Sequence, residues 1–248
     1  MTRNPQRLDG YGVYGDFAEP DSLAAAAAGA SALLLLAPSG PDLPARDRAM
    51  VRAAAGVPRI VKLSAIGTPD EPTDGLGAWH QPGERAVRSS GAEWTILRPT
   101  TFASNTLAWR AEIRDGRPIA NMFGAGRQGV VDPADVAAVA VAALTGDGHA
   151  GRTYTLTGPE LVSVPEQIRE LGTVLGRPLT VTDLPLDCAR ARMLARGLTP
   201  AFVDIAIDGA ALVRAGGNAI VTGDVPAVLG RPARTFAAWA RDHRDAFG

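Results

Sequence analysis

The sequence predicts an α/β protein: a parallel sheet covered by helices, followed by a smaller, mostly helical C-terminal part. Three observations predict it. Short apolar runs alternate with helical patterns up to about residue 157, as expected of strands joined by crossover helices. The run 32–38 is continuously apolar and stopped by Pro38, as a strand buried on both faces would be. Beyond residue 158 the chain changes texture and reads mostly as helix. The organisation that follows is one domain over 1–157 and a C-terminal substrate or cap region over 158–248.

Each element has a local reason. The segment 12–16, GVYGD, reads as a strand, and Ser22 can cap a short Ala-rich helix that Gly29 ends. After the apolar strand, a helix from about 44 to 55 closes at Gly56. The segment 59–65, RIVKLSA, gives the next strand and 80–91 a helix ending in Gly91. A strand at 94–99 is followed by a helix around 102–114. Asp132 caps and Pro133 opens the Ala/Val helix 133–145, and 152–158 is a later strand. Ser163 and Glu166 have capping-box spacing before a helix that stops at Gly176. A strand near 179–183 precedes helical sequence over 185–247, with a start at Thr199-Pro200 and a break at Gly216-Gly217.

Composition narrows the function classes. The 248 residues carry 25 basic and 26 acidic side chains, a net charge of −1, so nothing advertises nucleic acid or an anionic membrane as partner. Cys188 is the sole cysteine, which excludes an intrachain disulfide and a cysteine metal cluster. His80, His149 and His243 are too dispersed to give metal-ligand spacing. The apolar stretch 23–37 is too short to span a bilayer, and Asp16, Glu19 and Asp21 before it are wrong for a signal peptide. A cytoplasmic protein with a small-molecule ligand is the expectation.

The order of segments carries a family likeness. TRNP (2–5), GDFAEPDSL (15–23), LLLLAPSGPD (33–42), GVPRIVKLSAIG (56–67) and WHQPGERAVRSSGAEWTILRPTTFASN (79–105) are followed by VVDPADVAAVAVAAL (130–144), GRTYTLTGPE (151–160) and LGRPARTFAAWARDH (229–243). In this succession the chain resembles the NmrA-like family of atypical short-chain dehydrogenases/reductases, in the NAD(P)-binding Rossmann superfamily. The resemblance implies an N-terminally truncated Rossmann-like sheet, because relatives place a βαβ opening with a G-x-x-G-x-x-G turn before the equivalent of TRNP. That turn grips the cofactor pyrophosphate with backbone N–H groups. Losing about three charge-assisted hydrogen bonds would cost roughly 4–9 kcal/mol, a factor of about 10³–10⁶ in affinity. The expected cofactor is NADP(H), weakly bound or absent. The missing strands would also bare the edge of the strand at 32–37. Either the 12–16 segment shifts to pair with it, or a second copy in a homo-oligomer covers it.

The resemblance further implies site residues. Arg3 matches a residue that contacts a 2′-phosphate, Asp16 and Phe17 the pair beside the adenine, and Ala37 and Pro38 the strand end along the ribose. Ser64 and the run Pro99, Thr100, Thr101 and Phe102 match positions flanking nicotinamide and substrate. The Tyr-x-x-x-Lys pair of typical short-chain reductases is absent; His80 and Glu84 stand there instead, four apart and on one helix face. Glu84 can raise the pKa of His80 and let it protonate an oxyanion, although a helix N-terminus opposes an imidazolium; otherwise the two form a half-exposed polar pair. Lys62, the sole lysine, lies inside an apolar strand and either reaches the cofactor crevice or snorkels to solvent. Trp79, Phe102, Trp109, Met122 and Phe123 can line an apolar pocket or belong to the core. Asp132 and Asp135 read as helix-start residues.

Three functions fit these features. One is an NAD(P)H-dependent oxidoreductase-like enzyme that reduces a quinone, enone or similar conjugated carbonyl, with Ser64 or His80 stabilising the oxyanion. The others are a cofactor-free isomerase, cyclase or lyase using His80 and Glu84, and a non-catalytic dinucleotide-sensing regulator.

Overall fold

The computed structural model describes residues 1–71 and 77–248. It divides into two compact units, Met1–Arg98 with Ala140–Tyr154, and Pro99–Val139 with Thr155–Gly248. Along the first run lie α1 (Pro20–Ala27), β1 (Leu33–Leu35), α2 (Leu43–Ala53), β2 (Arg59–Leu63), α3 (Gln81–Arg88) and β3 (Glu93–Pro99). Then come α4 (Arg110–Arg114), β4 (Ile119–Asn121), β5 (Arg127–Gln128), α5 (Pro133–Thr145) and β6 (Arg152–Leu156). The chain continues through β7 (Val162–Ser163), α6 (Val164–Leu175), β8 (Val181–Asp183), α7 (Leu186–Ala195), α8 (Pro200–Arg214), α9 (Asp224–Leu229) and α10 (Phe236–Asp242).

The main sheet has the order β1-β2-β3-β6, and β1–β2 and β2–β3 pair in parallel. The α/β class with a helix-covered parallel sheet is therefore the one expected. In the first unit, Leu23 of α1, Met50 of α2 and Val87 of α3 pack with Leu35 and Ile60 of the sheet in one buried cluster. Arg59 fastens this unit at the strand base, donating to the carbonyls of Leu144 at 3.1 Å and Gly146 at 2.7 Å. Those carbonyls belong to a helix C-terminus, where orphan acceptors and the helix dipole favour a cation.

In the second unit the core gathers Ile113, Ile119, Leu171, Phe236, Trp239 and Phe247. The Trp239 ring stacks on His243, centroids 4.5 Å apart, and meets Phe247 edge-on. Asp132 and Asp135, at the start of α5, are both buried. Asp132 Oδ1 accepts the Ala134 N–H at 2.8 Å, the cap expected from sequence, while its Oδ2 takes the Arg234 guanidinium at 2.5 Å. Asp135 Oδ2 accepts the Arg234 backbone N–H at 2.6 Å. The pair thus does more than start a helix; it ties down the segment before α10.

Four local expectations change. The segment 12–16 forms no strand and does not pair with β1; it contributes a single bridge, Tyr14 to Thr2. Thr2 takes its hydrogen bonds, with Thr2 N–H to Val13 O at 2.9 Å and Gly15 N–H to Thr2 O at 3.2 Å. Gly12 makes that approach possible, since a Cβ there would lie 2.5 Å from the Pro5 carbonyl oxygen. Second, β1 is not buried on both faces: Leu34 is 41% exposed, because the strand is the last in its sheet. Third, Ser22 lies inside α1 and caps nothing at its start; its hydroxyl donates to Glu19 O at 2.7 Å and accepts Asp16 N–H at 2.9 Å. Fourth, most of the helix expected at 102–114 is a 3-10 turn over Ala103–Trp109, and only α4 is α-helical.

The capping box at α6 is as the spacing predicts: Ser163 Oγ accepts Glu166 N–H at 3.3 Å and Glu166 Oε2 accepts Ser163 N–H at 2.7 Å. Ser163→Ala is expected to lower unfolding free energy by about 1 kcal/mol, read as a shifted urea midpoint at constant m-value.

Candidate active site

Four residues from three separate segments line one groove of the first unit. Arg3, Asp16, Phe17 and Pro38 line one groove of about 810 Å³. Asp16 is held there by its own loop, its Oδ1 accepting the Ala18 N–H at 2.9 Å. Ala37, next to Pro38, is half-buried and is not among the groove-lining residues. Arg46 and Arg52 of α2 also line this groove, and sequence reasoning missed both. For Arg52 the signal is its spacing from Asp42, Ala45 and Ala49, which puts one helix face along the groove.

Lys62 goes elsewhere. Its side chain is 1% exposed and its ammonium lies 2.5 Å from Asp47 Oδ2, with the Leu63 carbonyl at 3.3 Å. It neither snorkels nor points to a crevice, because a carboxylate from α2 neutralises it inside the core. Asp47 is the other residue the sequence reading overlooked, though it is the only acid in α2 and a buried lysine requires a counter-ion. Burial pushes the Asp47 carboxyl up, and the Lys62 charge opposes that shift. Its Oδ1 is buried with no hydrogen-bond partner. Gly83 of α3 makes room for the carboxylate: a Cβ there would stand 2.1 Å from Asp47 Oδ2.

Glu84 is fully buried and is not half of an exposed pair with His80. Arg98 grips it with two bonds, Nε to Oε1 at 2.9 Å and Nη2 to Oε2 at 2.7 Å. Arg88 approaches Oε2 at 3.1 Å, and the Ser64 hydroxyl donates to Oε1 at 2.6 Å. This bidentate arrangement is a strong, planar one. It uses both Glu84 oxygens and the single hydrogen of Ser64. Arg98, at the end of an apolar strand, was the sequence signal for this hub.

His80 immediately precedes α3, half-buried, with Nδ1 buried and unpartnered. Burial first, and then the Lys62 charge, push its imidazole down to about 4, outweighing the upward pull of Glu84. The upward pull expected of Glu84 is present, but burial and the Lys62 charge outweigh it.

The remaining candidates are spread over both units. Trp79 is half-buried in the first. Pro99, Thr100, Thr101 and Phe102 belong to the second. Thr100 spends its hydroxyl on the carbonyls of Gly129 and Leu156, and Thr101 donates to Gln128 Oε1 at 2.7 Å. Phe102 bridges Val131 in backbone pairing. Trp109 and Phe123 pack against the second core, and Met122 is half-buried with its carbonyl accepting Arg214 Nε at 2.8 Å. Among the described residues there is no cluster able to hold a metal ion, and no helix is long and apolar enough to cross a membrane.

A family model described as NAD(P)H-binding matches residues 1–147. The chain belongs to the NAD(P)H-binding family. This NAD(P)H-binding chain is 40% identical to a Streptomyces griseus (4-alkanoyl-5-oxo-2,5-dihydrofuran-3-yl)methyl phosphate reductase, over 100% of the chain and 89% of the relative. It is 36% identical to the NAD(P)H azoreductase of Xenophilus azovorans, over 94% of the chain and 82% of the relative. Among solved structures, the Escherichia coli NADPH-dependent quinone oxidoreductase complexed with NADPH has a TM-score of 0.81 at 26% identity, over 97% of the chain and 88% of that structure. The chain is an enzyme of the NAD(P)H-dependent oxidoreductase type.

Two outcomes follow from the buried charges. Lys62→Met alone strands the Asp47 carboxylate and is expected to cost about 3–5 kcal/mol, whereas Asp47→Leu with Lys62→Met should restore most of that loss. Urea denaturation of the single and double variants reads the difference. For His80, the folded value of about 4 lies below the ordinary 6.5. The neutral ring therefore adds stability above pH 6.5, and this is lost as pH falls toward about 4, because the unfolded chain binds the proton first. An NMR titration should place the His80 midpoint near 4, and His80→Gln should flatten stability across that window.

Proposed function

We propose that this chain is an NmrA-like atypical short-chain reductase that takes NADP(H) and reduces a quinone, enone or similar conjugated carbonyl. The observation that carries the proposal is the meeting of Arg3, Asp16, Phe17 and Pro38 on one groove. These residue types suit the adenine half of a dinucleotide: an aromatic face, a carboxylate acceptor, a strand-end turn and a cation for a 2′-phosphate. NADP(H), when bound, supplies the hydride. The relative acting on a phosphorylated dihydrofuranone and those acting on quinone and azo compounds support a conjugated, electron-poor substrate.

His80 is the residue we assign to the substrate oxyanion. With a value pushed down to about 4, it acts as a neutral hydrogen-bond donor rather than as a proton-delivering imidazolium. Ser64 and Glu84 are assigned to positioning, since their hydrogen bonds hold the end of β2 against α3 and β3. Trp79, Phe102, Trp109, Met122 and Phe123 remain the apolar candidates for substrate contact, with residues 158–248 as the cap region. Cytoplasmic location belongs to the same proposal. So does a homo-oligomer whose second copy covers the open side of β1, where Leu34 is 41% exposed.

No segment of these 248 residues supplies a G-x-x-G-x-x-G turn. We therefore expect calorimetric titration of this chain to give NADPH a Kd weaker than about 100 µM, with NADPH oxidation when a quinone or enone is added. Tighter binding would overturn the weak-cofactor part. Turnover of a small molecule without dinucleotide binding would favour a cofactor-free isomerase or lyase, and binding without turnover a dinucleotide-sensing regulator.

A further inference from the structure

We propose that Arg214, the last residue of α8, is a specificity residue whose guanidinium receives a phosphate monoester carried by the substrate. The inference rests on the assignment of Met122 and Phe123 to a conjugated carbonyl substrate and adds the charged part of that substrate. It starts from the segment 123–126, FGAG, in the second unit. This turn lies against the end of α8: a Cβ on Gly126 would stand 2.2 Å from the Val213 carbonyl oxygen. A Cβ on Gly124, which has φ +57°, would meet the Arg214 side chain at 3.6 Å, so glycine leaves that flank uncovered.

Arg214 is fixed from two sides. Its Nε donates to the Met122 carbonyl at 2.8 Å and its Nη2 to the Leu184 carbonyl at 2.9 Å. The loops supplying these carbonyls are tied together by Asn121, which is buried. Asn121 Nδ2 donates to Gly124 O at 2.8 Å and to Asp183 Oδ1 at 2.9 Å, and its Oδ1 accepts the Phe123 N–H at 2.9 Å. Its carbonyl accepts the Leu184 N–H at 2.8 Å. The guanidinium is therefore held in place before any ligand arrives, and ordering it on binding costs little.

Its charge is not matched. Among the described residues no carboxylate pairs with Arg214. Asp183, the acid of this corner, has one oxygen engaged by Asn121. A cation in the last turn suits the α8 dipole, but both acceptors of Arg214 lie on other segments. Holding two carbonyls needs donors and no charge. The two carbonyls take the Nε hydrogen and one Nη2 hydrogen, leaving the end-on edge with one hydrogen from each Nη. That edge is a fork matched to two phosphate oxygens. A phosphate dianion is attracted more strongly there than a carboxylate of single charge. The Met122 carbonyl bond places this fork beside the residues assigned to the apolar body of the substrate.

The test is isothermal titration calorimetry of the full chain, without dinucleotide, using 1-naphthyl phosphate, 1-naphthoate and 1-naphthol. Circular dichroism verifies that each variant is folded. Binding should be tightest for 1-naphthyl phosphate, and Arg214→Gln should reduce its preference over 1-naphthol by roughly 10- to 100-fold. Arg214→Lys keeps the charge without the fork and should retain part of that preference. In the unmutated chain the Arg214 Nε–H resonance should shift on adding 1-naphthyl phosphate. No binding of 1-naphthyl phosphate, equal losses for it and 1-naphthol, or a preference abolished by Arg3→Ala and untouched by Arg214→Gln would overturn the proposal. Arg214-dependent phosphate binding in a chain that never oxidises NADPH with a quinone or enone would uphold this subsite and defeat the reductase reading. Quinone-dependent NADPH oxidation with phosphate binding indifferent to Arg214 would do the reverse.

Discussion

A single buried ion pair, Lys62 with Asp47, constrains much of the first unit. An ammonium in the middle of an apolar strand is tolerable only with a counter-charge at contact distance, and α2 must deliver it. That fixes the rotation of α2 about its axis, because Asp47 has to face inward. It also dictates glycine at position 83, where any side chain would collide with the carboxylate. The same helix then presents Arg46 and Arg52 to the groove. One helix therefore holds the core charge on one side and contributes to the candidate nucleotide site on the other.

The second constraint is the Glu84 hub. Two arginines and a serine converge on one fully buried carboxylate. Such a group links α3 to the ends of β2 and β3 by hydrogen bonds that have fixed directions. Ser64 and Glu84 thereby help build the strand ends. His80, half-buried and facing the Lys62 charge, is held well below the ordinary imidazole value despite the upward pull of Glu84. A neutral imidazole can donate a hydrogen bond to a developing oxyanion at physiological pH without changing charge itself.

Much of this was legible in the chain. The alternation of strands and helices, the proline-opened α5, the capping box of α6 and the Thr199 start of α8 all rest on contacts within a few residues. Local hydrogen bonding decides them, so local sequence reveals them. Arg3, Asp16, Phe17 and Pro38, expected from family likeness at the 2′-phosphate, adenine and ribose, line one groove. The 12–16 strand was misjudged because strand formation requires a partner, and Thr2 offers only one residue's worth of pairing.

By itself the sequence determined the α/β class, the order of elements and the family, since apolar periodicity and caps act over short spans. Only the tertiary structure decided which charges meet. Asp47 reaches Lys62 across 15 residues, Ser64 reaches Glu84 across 20, and Arg234 reaches Asp132 across 102. Coulombic and hydrogen-bond partners are set by distance in space, and desolvation by what lies around them. The protonation of His80 and the occupation of Ser64 follow from those two quantities, neither of which can be read along the chain.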